Sequence, residues 1–172
     1  VGLFFIGPFL AVFPVIVVQH YEGGVDRLSL VAMLFPLGTI LGSLALRARG
    51  GVRRKGLAAL LALLGGASAL AVIGLQLPFA GLVAATFAWG LAGAGFINCR
   101  PPPFPGAAPA HSRGRVLAVY QLGFIGTAPI GSLASGFTSG ALGPFVTLQL
   151  CALAMLLAVV LAALSTDIAR ME

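Results

Sequence analysis

Charge is what this sequence has least of. Only 8% of its 172 residues are Asp, Glu, Lys or Arg, against roughly 25% in a soluble domain. A water-exposed surface cannot be covered with so few charges. A soluble globular enzyme is excluded, and so is a disordered tail, which needs low hydrophobicity and high charge. Cysteine is scarce too. Cys99 and Cys151 form no disulfide framework and no metal-ligand spacing, and they read as small packing residues. The sequence pattern offers no metal or cofactor site. Acidic residues number four against ten basic ones, a formal charge of +6. The placement of those charges, given below, speaks for membrane topology and not for nucleic acid.

What the chain has in excess is apolar length. Hydrophobic residues make up 59% and the mean hydropathy is +1.08. With 24 glycines and 11 prolines, this is the composition of an all-α membrane protein, where tight packing and kinks are tolerated. Residue 1 is Val, and apolar sequence starts there without a basic region before it, so it does not read as a signal peptide. The expectation is that an N-terminal portion is missing.

Charged residues divide the chain into spans. Val1–Gln19 and Leu28–Leu46 carry none; Gly56–Cys99 runs 44 residues and Val116–Thr166 runs 51 without one. A bilayer core of about 30 Å takes about 20 helical residues. Each long run therefore holds two spans, with turn signals at Gln76-Leu77-Pro78, at Thr138-Ser139-Gly140 and at Gly143-Pro144. The spacing predicts six transmembrane helices at about 1–19, 28–46, 57–76, 79–98, 116–137 and 145–164. No period-2 alternation supports a barrel.

Six spans put loop 20–27 and the turns near 77 and 138–144 on one side of the membrane. The other side receives 47–56, 99–115 and the tail. Nine of the ten basic residues (Arg47, Arg49, Arg53, Arg54, Lys55, Arg100, Arg113, Arg115 and Arg170) fall on that second side, leaving Arg27 on the first. The positive-inside rule makes the second side, with the C-terminus, cytoplasmic.

At 100° per residue the faces separate. In the second span Phe35, Pro36, Thr39, Gly42 and Ser43 oppose a leucine face. In the fifth, Tyr120, Gln121, Phe124, Thr127, Ala128, Gly131, Ser132, Ser135 and Thr138 oppose Leu122, Ile130, Leu133 and Phe137. Hydroxyls are costly in hydrocarbon, so these faces should look into protein or a wet cavity. The third and sixth spans are nearly apolar all round and read as scaffold. Gly38-Thr39-Ile40-Leu41-Gly42-Ser43-Leu44 is echoed by Gly126-Thr127-Ala128-Pro129-Ile130-Gly131-Ser132-Leu133, with Pro36 and Pro129 interrupting both spans. The order suggests two three-helix repeats, and matched Gly/Pro-interrupted spans point to a transporter's binding region. The bland alternative is that small residues serve packing. A candidate substrate pathway follows: Phe35, Thr39, Ser43, Tyr120, Gln121, Phe124, Thr127, Gly131 and Ser132. Thr86 and Trp89 join it from the fourth span, and Phe9 and Phe13 from the first, because aromatic walls suit organic molecules.

The stretch Ala108–Gly136, entered through Arg113-Gly114-Arg115-Val116 and continued through Gly126, Pro129 and Gly131, resembles the C-terminal half of a major facilitator superfamily transporter. It is most similar to the branch of enterobactin-exporter-type efflux proteins. The resemblance implies half of a twelve-helix fold, with the partners being a lipid bilayer, a small-molecule substrate and a missing N-terminal six-helix half. It implies secondary active efflux by alternating access in a bacterial inner membrane, and no enzymatic activity. It gives Arg47, Arg113 and Arg115 cytoplasmic gating or topological roles. Gly42 and Arg47 match the family's Gly-x-x-x-Asp-Arg loop, but Leu46 stands in the aspartate's place. Cys99–Gly106, with three consecutive prolines, departs from the family pattern; a proline-rich loop and a local frame slip both remain open.

Two other functions stand as alternatives. Gly66-Ala67-Ser68-Ala69 faintly resembles an intramembrane serine protease nucleophile, but such a serine needs a histidine base, and His20 and His111 lie at opposite membrane edges. A truncated, non-transporting fragment is the other alternative. No charged residue or histidine lies well inside any span, so a proton carrier is expected in the missing half.

Overall fold

The computed structural model describes residues 2–50, 55–99 and 113–165. They form six helices: α1 (Gly2–Val15), which runs on through a π-helical turn at Ile16–His20, α2 (Val25–Ala48), α3 (Lys55–Ile73), α4 (Phe79–Cys99), α5 (Arg113–Leu142) and α6 (Pro144–Ser165). Four stretches, 25–48, 56–73, 79–98 and 144–161, are long and apolar enough to cross a membrane, the mark of a multi-pass membrane protein.

Most boundaries fall within a few residues of the sequence expectation, and the exceptions have physical causes. The fifth helix does not stop near 137 but continues to Leu142. Thr138 there donates its hydroxyl to the carbonyls of Ala134 and Ser135 at 2.9 and 3.2 Å, so the polar side chain is satisfied inside the helix. The turn is made by Gly143 alone, at φ +89°, a conformation glycine adopts freely. Pro144 then opens α6 at the position where its missing N–H costs nothing. The third helix ends at Ile73, three residues early, and the chain turns through Gly74 to Pro78. Pro36 and Pro129 interrupt neither helix. Each removes one backbone hydrogen bond, and neighbouring packing carries the loss.

The three short connections gather at one end of the bundle. The Tyr21 hydroxyl donates to the Leu77 carbonyl, and Gln149 Nε2 donates to Gly74 O at 3.2 Å. His20 meets Phe145 edge-on with ring centroids 4.7 Å apart, and Arg27 lies 5.2 Å above the Phe79 ring. The loops after α1, α3 and α5 are thus tied to one another.

Helix α1 packs on α5 and α6; α4 packs on α2 and α3; α3 and α6 pack on each other. The core lies where α1, α3, α4 and α6 converge, around Val12, Phe13, Ile16, Leu70, Ile73, Leu82, Trp89, Leu148 and Met155, all nearly or fully buried. Helices α3 and α6, expected as scaffold, therefore also supply the middle of the core. Their outer leucines, including Leu61, Leu153, Leu157 and Leu161, are exposed, an apolar surface suited to lipid.

α2 and α5 are held differently, through glycines. A Cβ on Gly38 would stand 2.5 Å from the Phe87 carbonyl oxygen, and one on Gly90 would stand 3.1 Å from Gly38 Cα. A Cβ on Gly7 would stand 2.5 Å from the Gly131 carbonyl carbon. The two backbones touch at both crossings, the close approach that small residues permit between membrane helices.

Gly90→Ala or Gly7→Ala should force these helices apart and lower stability by about 1–3 kcal/mol, measured as loss of folded protein on heating in detergent. Gly136→Ala, where an added methyl meets nothing within 4 Å, should leave the midpoint unchanged. At the loop end, burial pushes the Tyr21 phenol above its ordinary value of 10.0. A raised pKa means the contribution is intact below pH 10 and lost as pH rises past it. Tyr21→Phe should cost about 1 kcal/mol and remove that alkaline sensitivity.

Candidate functional site

The sequence placed its candidate pathway on four spans. The structure brings part of that set together as an aromatic cluster between α1, α2 and α4. Phe13 stacks on Trp89 with centroids 5.4 Å apart, Phe35 meets Trp89 at 5.1 Å, and Phe9 lies 4.9 Å from Phe35 and 5.8 Å from Trp89. Such tilted and edge-on pairs add to the burial of the rings. Trp89 and Thr86 are fully buried and Phe13 nearly so, while Phe9 and Phe35 are half-buried. The Thr86 hydroxyl donates to Leu82 O, 2.7 Å away in its own helix. Trp89 and Thr86 thus sit behind the accessible wall rather than on it.

Beside the cluster, between α1 and α2, an apolar recess is lined by Phe9, Leu10, Phe13, Pro14, Leu28, Val31 and Ala32. Phe9 and Phe13 are the two aromatic residues that reach from the cluster into it.

The rest of the second-span set lies lower on the α2–α4 seam. Thr39 Oγ1 donates to Phe35 O at 3.0 Å and to Gly90 O at 3.1 Å, linking the two helices. Ser43 donates to Thr39 O at 2.7 Å and accepts from Asn98 Nδ2 at 2.8 Å. Thr39, Ser43, Arg47 and Asn98 line a second recess. Asn98 escaped the sequence reading because it stands at the end of a largely apolar helix. Its signal was that it is the single asparagine of the chain, placed where a span leaves the membrane.

In α5 the small-residue face turns toward α1. Gly131, Ala128 and Ser135 are buried, whereas Leu122, Ile130, Leu133 and Phe137 are exposed. Of the two destinations open to that face, protein or water, these residues meet protein. Ser132 sits at the edge, with its hydroxyl buried and without a hydrogen-bond partner among the described residues. It shares an outer groove with Leu133, Gly136, Phe137 and Gly140. The side chains of Tyr120, Gln121, Phe124, Thr127 and Arg113 lie outside the described residues, while Arg115 is exposed in the first turn of α5.

Compared with known protein families, curated proteins and solved structures, the chain matches none. The chemistry of the site therefore rests on its own residues. Ser68 donates to Gly65 O in its own helix at 3.0 Å, and the His20 ring packs on Tyr21 and Phe145. Neither is arranged for proton transfer to the other. Among the described residues no three His, Cys, Asp or Glu side chains gather as a metal site. What the cluster and its recess can do is hold an apolar or aromatic molecule.

The single tryptophan reports on this region directly. Its emission should be blue-shifted and resistant to iodide quenching. Phe13→Ala should shift it to the red and cost about 3–5 kcal/mol, read from the same fluorescence during denaturation.

Proposed function

We propose that the chain is one six-helix half of a secondary active transporter of the major facilitator type, exporting a small, largely apolar organic molecule by alternating access. The observation that carries this is the pattern of helix pairing. Exchanging α1 with α4, α2 with α5 and α3 with α6 turns the α1–α5 contact into α4–α2, turns α1–α6 into α4–α3, and leaves α3–α6 in place. The glycine crossings obey the same exchange: Gly7 on Gly131 becomes Gly90 on Gly38.

Helices three apart in sequence run in opposite directions, so the exchange describes an inverted repeat. Nested three-helix inverted repeats build the halves of this transporter class. The correspondence departs at α5–α6, whose contact has no equal between α2 and α3. Gly143 alone joins the first pair, whereas the longer basic sequence 49–54 lies between the second.

A half of this kind forms one wall of a central pathway. The half-buried Phe9 and Phe35 suit an organic substrate on that wall, and the exposed Arg115 suits contact at the basic surface. Efflux, the inner membrane and a second six-helix half follow from the resemblance of Ala108–Gly136.

A reporter fused after Gly24 should lie outside the cytoplasm, and one fused after Gly50 inside. Both on one side would overturn the span order. Purified and reconstituted in liposomes, the chain alone should catalyse no saturable flux. Joined to its second half it should transport, and Arg115→Ala should slow that transport several-fold at unchanged membrane abundance. Saturable flux from the monomeric chain would overturn the half-transporter reading.

A further inference from the structure

The recess at the basic end of the α2–α4 seam combines three kinds of surface in one place. Arg47 supplies a cation, Ser43, Thr39 and Asn98 supply neutral polar groups, and Ile40 and Leu44 supply an apolar wall. Helices α2 and α4 run the same way, and their glycine crossing sets the depth. Arg47 lies nine residues beyond Gly38, and Asn98 eight beyond Gly90. At a 1.5 Å rise, both reach about 12–14 Å past the crossing, which brings them out together at the same membrane surface.

The polar part is built rather than incidental. Asn98 is held by two bonds from its amide nitrogen, to Ser43 Oγ and to Ala94 O, each 2.8 Å. Both amide hydrogens are thereby used, leaving Oδ1 as an acceptor for a ligand's hydroxyl. Arg47 is exposed, and the described carboxylates, Glu22 and Asp26, lie at the opposite end of the bundle. The apolar part continues outward. Ile40, Leu41 and Leu44 are 58%, 46% and 56% exposed and form a ridge rising from the recess into the bilayer.

We propose that this recess binds an anionic phospholipid with a hydroxyl-bearing headgroup, in the leaflet on the basic side of the membrane. The Arg47 guanidinium takes the phosphate, for which its planar fork is shaped. Asn98 Oδ1 accepts from the headgroup hydroxyl. The acyl chains lie along Ile40 and Leu44. The recess, about 300 Å³, is at the small end of ligand pockets, the size for a headgroup whose tails remain in lipid. A soluble phosphate would use the arginine but leave the adjoining apolar wall unfilled, so the commitment is to lipid. The site stands independently of whether the chain transports.

The test is titration of the purified full chain in detergent with phosphatidylglycerol, with bound lipid counted by native mass spectrometry. Phosphatidylcholine and glycerol phosphate are the comparison probes. Phosphatidylglycerol should bind saturably and about ten-fold better than phosphatidylcholine, and glycerol phosphate should not compete at equal concentration. Arg47→Ala should weaken binding about five-fold, in line with one basic residue at an anionic surface, and Arg47→Lys should recover part of it. Asn98→Leu should reduce the preference for phosphatidylglycerol over phosphatidic acid, which lacks the hydroxyl. Arg49→Ala, two residues along and not lining the recess, should bind as the parent does. Equal losses from Arg47→Ala and Arg49→Ala would mean diffuse charge attraction and overturn the site. Competition by glycerol phosphate would overturn the assignment to lipid.

Discussion

Everything in this bundle depends on how closely two backbones can approach where no side chain intervenes. In lipid the apolar effect gives helices little reason to prefer one another over acyl chains, so dispersion and internal hydrogen bonds must do the associating. Gly38 on Gly90 and Gly7 on Gly131 bring α2 and α5 to within backbone contact of α4 and α1. That proximity lets Thr39 reach across to Gly90 O and lets Phe35 close on Trp89. A larger residue at the Gly38–Gly90 crossing would remove the hydrogen bond and the ring contact together.

The second constraint is that polar groups must be satisfied inside the protein. Thr39, Ser43, Thr86, Thr138 and Thr147 each donate to a carbonyl four residues back in the chain. This bond makes a hydroxyl tolerable in a membrane helix. It also explains why Thr138 and Ser139 fail to end α5, although in water such residues favour turns. Between α5 and α6 the chain turns only at Gly143, which takes a positive φ, and Pro144 starts the next helix.

The two ends of the bundle are built differently. At one end three short connections are stitched by Tyr21, Gln149, His20 and Phe79, with little net charge. The other end carries the exposed Arg47, Arg49 and Arg115. A tied end of little net charge and a basic end suit a helix bundle in a membrane with positive charge retained on one side.

Six apolar runs and most of their ends were legible from residue type and spacing, because the length of a span is a property of a single segment. The leucine faces of α2 and α5 were legible for the same reason, since periodicity reveals which residues share a face. It does not reveal what that face meets. That Gly131 touches Gly7, that Asn98 reaches Ser43, and that Trp89 is sealed beneath Phe9, Phe13 and Phe35 depend on which helices become neighbours. Residues 43 and 98, or 7 and 131, are far apart in sequence and carry no mutual signal; only packing the six helices around one core decides that they meet.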